Sequence, residues 1–267
     1  MFKKRLVMMM SAVCLLTAPM TALAGPSTSR IDASEASKGI VKIEKDPQKQ
    51  TIEKIMISKG NQHFYYSVTD NNRFPLQLGD GKYTVTLLEN VAGSNKYRMV
   101  ENKEVIRNAT DEQTVFLQPI QMIYWNDQMK AITKARELTQ GLQSDKDKIA
   151  AVYNFMIHNI SYDFEKAQQV TNDYLPSIEA TMNESKGICY DYSALFAAML
   201  RSQGIPTKLI MGRKHDINQY HAWNEVYLKD TNEWVFIDTT YDAAMVKGDT
   251  KPLMIKNRQD YVTEKQF

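Results

Sequence analysis

The sequence has 267 residues, of which 33 are basic and 31 acidic, so its formal net charge is only +2. Three basic residues lie within the first five positions, and removing these three from 33 leaves 30 basic against 31 acidic residues. A chain so close to neutral lacks the basic surface with which proteins bind nucleic acid or anionic membranes, and we expect neither partner.

Residues 1–24 have the pattern of a secretory signal peptide. The basic residues at positions 3 to 5 precede an apolar run, Leu6–Leu16, which is too short to span a bilayer. Small residues then end the segment at Ala24, before Gly25. We therefore predict cleavage after Ala24, a secreted or periplasmic protein, and no transmembrane segment in the mature chain.

The chain has two cysteines, and one of them, Cys14, lies inside the predicted signal. Cys189 is then the only cysteine of the mature protein, which cannot close an internal disulfide. This excludes the small folds that depend on disulfides. The remaining thiol is inert, paired with another chain, or reactive.

Two regions precede the first predicted helix. Residues 25–50 are rich in small and charged residues without apolar periodicity, and we predict a flexible leader. Residues 51–120 contain short β-like runs separated by turn signals, which predict a small antiparallel β-sandwich-like domain. The runs are Ile52–Ser58, His63–Val68, Tyr83–Glu89, Lys96–Val100 and Thr114–Gln118.

The role of this β-rich domain is open between a spacer and a module that docks substrate or a component of the cell envelope. Its aromatic cluster, Phe64, Tyr65 and Tyr66, is a candidate for stacking on carbohydrate. Core packing of two rings with one exposed ring is the more common arrangement for such a cluster.

Residues 121–267 change to helical spacing and predict a second, α+β domain. Helices are predicted over Trp125–Gln140, after the capping box at Ser144, and after Pro176-Ser177. A short extended piece is expected at Ile160–Asp163. Three strands are predicted after residue 206, at Thr207–Gly212, Tyr220–Leu228 and Trp234–Asp238.

Cys189 lies at the predicted start of one helix in this second region. Gly187 punctuates the chain ahead of it, strong helix formers follow from Tyr192, and Gly204 with Pro206 ends the helix. The first turn of a helix has unpaired N–H groups and the positive end of the helix dipole, which stabilise a thiolate. We interpret Cys189 as a nucleophile, whereas most cysteines are small buried apolar residues.

A nucleophilic cysteine needs a base, and the base needs a group that orients it. His221 lies on the predicted strand Tyr220–Leu228, and a polar turn leads into the next strand, which ends at Asp238. If these strands form a hairpin with its turn near Asp230, Asp238 falls opposite Trp223 and within reach of His221. Each residue alone has an ordinary structural explanation, but the ordered combination of Cys, His and Asp is much more specific.

The motifs around these residues resemble the core of the bacterial transglutaminase-like superfamily, over roughly residues 149–242. Members of that family have a papain-like fold, in which a helix that begins with the cysteine packs on an antiparallel sheet with the His and Asp. The matching motifs, in order, are Gly187-Ile188-Cys189-Tyr190-Asp191-Tyr192, Gly204-Ile205-Pro206, His221-Ala222-Trp223-Asn224-Glu225-Val226, and Trp234 with Asp238.

The resemblance implies a role for each matched residue. Cys189 would be the nucleophile, His221 the general base and then acid, and Asp238 the carboxylate that orients His221. The backbone N–H of Cys189 would stabilise the oxyanion, and Tyr162 is a candidate for the second donor. Structural roles near the site would fall to Asp191, Trp223 and Glu225.

The resemblance thus implies secreted acyl transfer on peptide or protein amides through a thioester. The sequence does not separate cross-linking, deamidation and proteolysis, and a non-catalytic binding or structural module of the cell envelope is the alternative. No cofactor is predicted, and a metal site is disfavoured because the His and Asp residues lack the short spacings of zinc ligands.

Overall fold

The computed structural model describes residues 29–48, 51–109 and 111–267. The predicted signal peptide, residues 1–24, lies outside the described residues. Of the predicted leader, residues 29–48 are described.

The N-terminal region is β-rich. In the described ranges up to residue 109, two antiparallel sheets form, one with the order β1-β2-β5 and one with the order β4-β3-β6-β7. Strand β4 is therefore an edge of the larger sheet. The strands are β1 (Ile31–Asp32), β2 (Ile40–Ile43), β3 (Glu53–Lys59), β4 (Gln62–Ser67), β5 (Arg73–Pro75), β6 (Gly81–Asn90) and β7 (Tyr97–Arg107).

Four of the five predicted runs in this region overlap strands β3, β4, β6 and β7. The prediction of a strand at Thr114–Gln118 was wrong, because Glu112–Leu117 forms a 3-10 helix. The Asp111 carboxylate accepts the backbone N–H of Gln113 at 2.9 Å. This cap satisfies a donor at the start of the helix and favours it over an extended conformation.

The structure also differs from the predicted leader. Strands β1 and β2 lie within residues 25–50, and Ile31, Ile40 and Val41 are buried. Strand β2 pairs with β5, about thirty residues further along the chain. These strands are too short to show a periodic pattern, and the strand that pairs with β2 is distant in sequence. The local sequence therefore did not indicate them.

The C-terminal region packs helices on an antiparallel sheet with the strand order β13-β12-β11-β10-β14. This arrangement confirms the predicted α+β fold class. The helices are α1 (Lys130–Thr139), α2 (Asp145–Asn159), α3 (Phe164–Gln169), α4 (Ile178–Glu184), α5 (Cys189–Arg201) and α6 (Thr239–Lys247). The strands are β8 (Ser161–Tyr162), β9 (Lys186–Gly187), β10 (Thr207–Lys214), β11 (Ile217–Leu228), β12 (Glu233–Ile237), β13 (Ile255–Lys256) and β14 (Tyr261–Gln266).

Helix α2 follows its sequence signals closely. The Ser144 hydroxyl accepts the backbone N–H of Asp147 at 3.0 Å, as a capping box requires. Its apolar stripe at helical spacing is buried and consists of Ile149, Val152, Tyr153 and Met156. Helix α1, in contrast, begins five residues after Trp125, at Lys130, so its predicted start was wrong. Helices α3 and α6 were not predicted.

Helix α5 lies at the centre of the region, and its residues from Asp191 to Arg201 are all buried. It packs against α1, α2, α4 and α6 as well as against β10 and β11. The side chain of Asn224 on β11 donates to the backbone oxygens of Ser193 at 2.9 Å and Lys208 at 3.1 Å. These bonds connect α5 to the two central strands, which fixes the start of the helix relative to the sheet.

The two regions contact one another through α5 and the chain end. The buried guanidinium of Arg201 donates to backbone oxygens of Gln118 at 2.7 Å, Thr207 at 2.8 Å and Phe267 at 3.2 Å. The Phe267 ring packs edge-on against Tyr66 of β4, with centroids 6.2 Å apart. Strand β4 is thereby held beside β14. The boundary between domains at residue 120 stays a prediction.

Candidate active site

Cys189 is the first residue of α5 and is partly exposed. The buried Asp191 carboxylate accepts the backbone N–H of Ile188 at 2.9 Å and pairs with the Lys166 ammonium at 2.9 Å. It also accepts the hydroxyl of Tyr174. Asp191 therefore holds the chain just before the cysteine. Among the described residues, no acceptor is bonded to the backbone N–H of Cys189, which leaves it available at the helix start.

Gly187 precedes this turn because no side chain fits there. A Cβ atom at this position would lie 2.6 Å from the Cβ of Asp191 and 3.0 Å from its Oδ2. We expect Gly187→Ala to displace Asp191, to cost about 1–3 kcal/mol in the free energy of unfolding and to slow alkylation of Cys189. Urea unfolding and iodoacetamide kinetics measure the two effects.

Gly248→Ala is the matched control, because a Cβ there would meet nothing closer than 3.5 Å. We expect its free energy of unfolding to stay within about 0.5 kcal/mol of the wild type. Equal stability of the Gly187→Ala and Gly248→Ala variants would contradict the role given to the close approach of Gly187 and Asp191.

His221 lies on β11, opposite Gly212 of β10, and only 5% of its surface is exposed. Strands β11 and β12 form the predicted hairpin, in which Asn224 is opposite Ile237 and Leu228 is opposite Glu233. One step further along the same register puts Trp223 opposite Asp238. The hairpin therefore brings His221 and Asp238 together, as the sequence predicts.

Asp238 is completely buried and accepts three hydrogen bonds. Its Oδ2 atom accepts from Nε2 of His221 at 2.7 Å and from the hydroxyl of Tyr261 at 3.1 Å. Its Oδ1 atom accepts the backbone N–H of Tyr241 at 3.0 Å, so Asp238 is also the N-cap of α6. With Nε2 bonded to Asp238, the Nδ1 atom of His221 is the nitrogen left to face the cysteine.

The His221 imidazole is held in its charged form. Burial lowers the pKa of His221, but Coulombic attraction by Asp238 and hydrogen bonds with Asp238 and Cys189 raise it, and the pKa reaches about 10. An imidazolium between a carboxylate and a thiol stabilises the thiolate of the cysteine. The arrangement therefore places a charged imidazole between the carboxylate of Asp238 and the thiol of Cys189.

Tyr261 on β14 is a site residue that the sequence analysis missed. Burial and the negative charge of Asp238 raise the pKa of Tyr261, so its hydroxyl stays a donor to that carboxylate. The ring also packs against Trp223, with centroids 4.9 Å apart. Tyr261 follows Asp238 by 23 residues and lies on a different strand, so no local pattern indicated it.

We expect Tyr261→Phe to lower kcat of the proposed reaction by roughly tenfold to hundredfold, since one hydrogen bond to a charged group contributes about 1.5–3 kcal/mol. KM should stay unchanged, because the hydroxyl contacts Asp238 and no substrate. Tyr97→Phe removes a hydroxyl on β7 and serves as the control. An unchanged kcat in the Tyr261→Phe variant would show that Tyr261 does not position Asp238.

Tyr162 also lies beside the cysteine. Strand β8 pairs in parallel with β9, so that Tyr162 is opposite Gly187. Burial is the main cause that raises the pKa of Tyr162, and Gly187, its partner in the strand pair, is two residues before Cys189. Its role as a donor to the oxyanion stays a prediction.

The two remaining predicted residues lie on β11 behind His221. Trp223 is completely buried and stacks on His221, with ring centroids 6.2 Å apart and planes 23° apart. Glu225 is buried and pairs with Lys208 at 2.8 Å and with Arg258 at 2.5 Å. Their contacts stabilise the sheet behind His221.

A cleft of about 490 Å³ opens at Cys189. Its lining comes from the segment between α3 and α4, the start of α5, the N-terminal sheet and the strands β10, β11 and β14. The lining includes Tyr65, Tyr66, Gln121, Tyr174, Cys189, Tyr190, Tyr220 and Phe267.

In residues 29–48, 51–109 and 111–267, no three His, Cys, Asp or Glu side chains are grouped as metal ligands would be. None of the helices in these ranges combines the length and apolar character that crossing a bilayer requires.

Comparison with known proteins points to one family. Residues 132–239 match the model of the Transglutaminase-like superfamily, and this range contains all three members of the Cys-His-Asp constellation. The chain is 27% identical to the Kyphoscoliosis peptidase of Mus musculus over 124 residues, which is 43% of this chain. It is 26% identical to the uncharacterized protein YebA of Bacillus subtilis over 190 residues, which is 64% of this chain.

These matches span only part of the relatives, 18% of the mouse protein and 24% of YebA. Among solved structures, the periplasmic domain of TgpA from Pseudomonas aeruginosa is similar, with 14% identity and a TM-score of 0.41. That match covers 82% of this chain and 98% of the TgpA chain. Residues 132–239 are the part of this chain that is similar to the Transglutaminase-like superfamily.

Proposed function

We propose that this protein is an enzyme that transfers acyl groups from peptide or protein amides through a thioester at Cys189. The observation that carries this proposal is the bond of 2.7 Å between Nε2 of His221 and Oδ2 of Asp238, with Cys189 at the other side of the imidazole. Such an arrangement of nucleophile, base and orienting carboxylate is the geometry of a catalytic triad.

In the first step, the Cys189 thiolate attacks the carbonyl carbon of a carboxamide or peptide bond. The carbonyl oxygen gains the negative charge, and the free N–H of Cys189 and the Tyr162 hydroxyl are the donors proposed to stabilise it. The charged His221 then gives its proton to the departing nitrogen. Ammonia or an amine leaves, and the acyl group remains on sulfur as a thioester.

In the second step, neutral His221 takes a proton from an incoming amine or water molecule as that molecule attacks the thioester. The acyl group passes to the new acceptor, and the thiolate and imidazolium are regenerated. Asp238 holds the imidazole in orientation throughout, since donors from Tyr261 and Tyr241 fix its carboxylate. The identity of the acceptor decides between cross-linking, deamidation and proteolysis.

Mass spectrometry of glutamine-containing peptides, incubated with and without an added primary amine, tests the proposal. Incorporation of the amine indicates transglutamination, conversion of Gln to Glu indicates deamidation, and new peptide termini indicate proteolysis. Cys189→Ala is the control and should abolish all three products. Product formation by the Cys189→Ala variant would exclude the proposed nucleophile.

Each alternative to an enzyme predicts a different experimental outcome. A binding module of the cell envelope without turnover would yield no product, and its Cys189 would react with iodoacetamide no faster than free cysteine at pH 6. A bridge to another chain would appear as a dimer of the purified protein on a nonreducing gel. The charged His221 at the cysteine favours the enzyme over both.

We also propose that the protein acts outside the cytoplasm, in the periplasm or exterior, where its substrate would be a protein or peptide. The support is the signal-like sequence of residues 1–24. A contact between the N-terminal β-rich region and a cell-envelope component belongs to the same proposal. Fractionation of cells that express the full chain tests the compartment, and loss of residues 2–24 should retain the protein in the cytoplasm.

A further inference from the structure

Strand β4 turns its edge toward the cleft that contains Cys189. Tyr65 and Tyr66 are neighbours in this strand, and both line the cleft. Because successive side chains of a strand point to opposite faces of the sheet, both can border one cleft only where the edge between the faces is exposed to it. The edge of β4 therefore forms part of the cleft wall.

The backbone groups of this edge follow from the hydrogen bonds of the neighbouring pair. The N–H of Val68 donates to the oxygen of Glu53 at 2.9 Å, so positions 53 and 68 form a hydrogen-bonded pair. Bonded and non-bonded pairs alternate along an antiparallel ladder. By this alternation Tyr66 is bonded to β3, whereas the N–H and C=O of His63 and Tyr65 point away from the sheet.

These groups of Tyr65 are unpaired in the part of the chain that the structure describes. The C=O of Ser67 also points away from the sheet, but it already accepts a hydrogen bond from the side-chain amide of Gln121 at 2.7 Å. The Tyr65 ring is 60% exposed, while the Tyr66 ring is buried against Phe74 and Phe267. One edge position thus combines a free backbone donor, a free acceptor and an exposed aromatic ring.

We propose that an extended peptide substrate binds as an added strand along β4, with its main chain bonded to the N–H and C=O of Tyr65. This inference rests on the proposed acyl transfer, since the occupant is the segment that carries the reactive amide to Cys189. Main-chain pairing is independent of side-chain identity. The Tyr65 ring contacts the substrate side chains and makes the N-terminal region a determinant of specificity.

Continuity with the active-site cleft supports this occupant over a second copy of the chain. The same cleft holds Cys189 and is also bordered by Tyr174 and Tyr190, whose rings contact each other with centroids 6.3 Å apart. A peptide that fills the cleft contacts both β4 and these rings. A reagent as small as iodoacetamide needs none of these contacts.

Two substitutions distinguish the contribution of the Tyr65 backbone to peptide binding from that of the Tyr65 ring. Tyr65→Ala removes the ring and keeps the N–H, whereas Tyr65→Pro removes both and is compatible with an edge strand whose N–H faces outward. Ile106→Pro is the matched control on β7, the opposite edge strand. Ile106 is 65% exposed, and the same alternation directs its N–H away from β6.

The binding test uses the Cys189→Ala variant of the full chain and a fluorescein-labelled peptide with a single Gln among Ser, Thr and Val residues. Fluorescence anisotropy should show roughly threefold to tenfold weaker binding for Tyr65→Pro than for Tyr65→Ala, the loss of one hydrogen bond. N-methylation of the peptide should weaken binding at alternate positions only. Equal binding by all variants, or N-methyl effects without alternation, would overturn the proposal.

Turnover distinguishes this inference from the proposed function. In the Cys189-containing protein, Tyr65→Pro should raise KM for the long peptide, while the rate of iodoacetamide labelling and the turnover of N-acetylglutamine amide stay unchanged. Loss of both small-molecule reactions would show damage to the active site and would contradict the assigned role. Peptide binding that depends on Tyr65, without any turnover, would reject the proposed acyl transfer and keep the strand site.

Discussion

Replacing His221 with alanine is expected to lower kcat/KM of the proposed acyl transfer by roughly 10⁴-fold or more, the usual loss when a triad loses its base. The variant lacks the imidazolium that stabilises the Cys189 thiolate and the acid that protonates the leaving nitrogen. A cysteine of ordinary pKa, about 8.5, has only about one thiolate per 300 molecules at pH 6. Iodoacetamide labelling at pH 6 should therefore slow by up to roughly 300-fold, the factor by which the thiolate fraction falls.

His158→Ala is the control for this prediction. His158 is an exposed residue of α2 whose Nδ1 atom bonds to the backbone oxygen of Asn154 at 2.8 Å, and it lies outside the cleft at Cys189. Its variant should keep both the turnover and the labelling rate of the wild type. Rapid labelling of Cys189 in the His221→Ala variant would show that the thiolate does not depend on His221.

The local sequence was sufficient to predict the hairpin of the site. Alternating residues from His221 to Leu228, a polar turn of four or five residues and a second apolar strand define a register without any tertiary information. The observed pairing of Asn224 with Ile237 agrees with that register. The helix at Cys189 was also predictable from the local sequence. Gly187 marks its start, strong helix formers follow, and Gly204-Ile205-Pro206 marks its end.

The residues that surround the site come from distant parts of the sequence, which local patterns do not connect. Tyr261 donates to Asp238 from β14, and Tyr65 borders the cleft at Cys189 from more than a hundred residues earlier in the chain. Such contacts depend on the order of strands within a sheet and on how two sheets meet. Neither leaves a periodic signal in the sequence.

Helix α6 shows how one residue can serve two elements. Before Thr239 and Thr240, which are poor helix formers, Asp238 has the pattern of a strand terminator. In the structure its carboxylate also accepts the backbone N–H of Tyr241 and caps the helix. The capping bond keeps the side chain in one orientation, so the same contact that begins α6 also fixes the carboxylate for His221.

Asp238→Asn should have the second large effect, a loss of roughly 10³–10⁴-fold in kcat, because a neutral amide neither supports the imidazolium nor fixes its orientation. Attraction by Asp238 is the main contribution that raises the pKa of His221 against the effect of burial. In the variant, burial prevails, and the pKa of His221 should fall from about 10 to below its ordinary value of about 6.5. At neutral pH the variant then lacks the imidazolium beside the cysteine, and iodoacetamide should label Cys189 more slowly than in the wild type.

The same substitution changes how stability depends on pH. Because the folded-state pKa of His221 lies above its unfolded value of about 6.5, the protonated imidazole stabilises the wild-type fold fully below pH 6.5. This contribution is lost as the pH rises through about 10. The difference in free energy of unfolding between wild type and Asp238→Asn, measured in urea, should therefore be largest near pH 6 and shrink toward pH 10. Asp230→Asn, in the exposed turn of the hairpin, should show no such trend. A difference that is constant with pH would mean that the charge pair does not govern the protonation of His221.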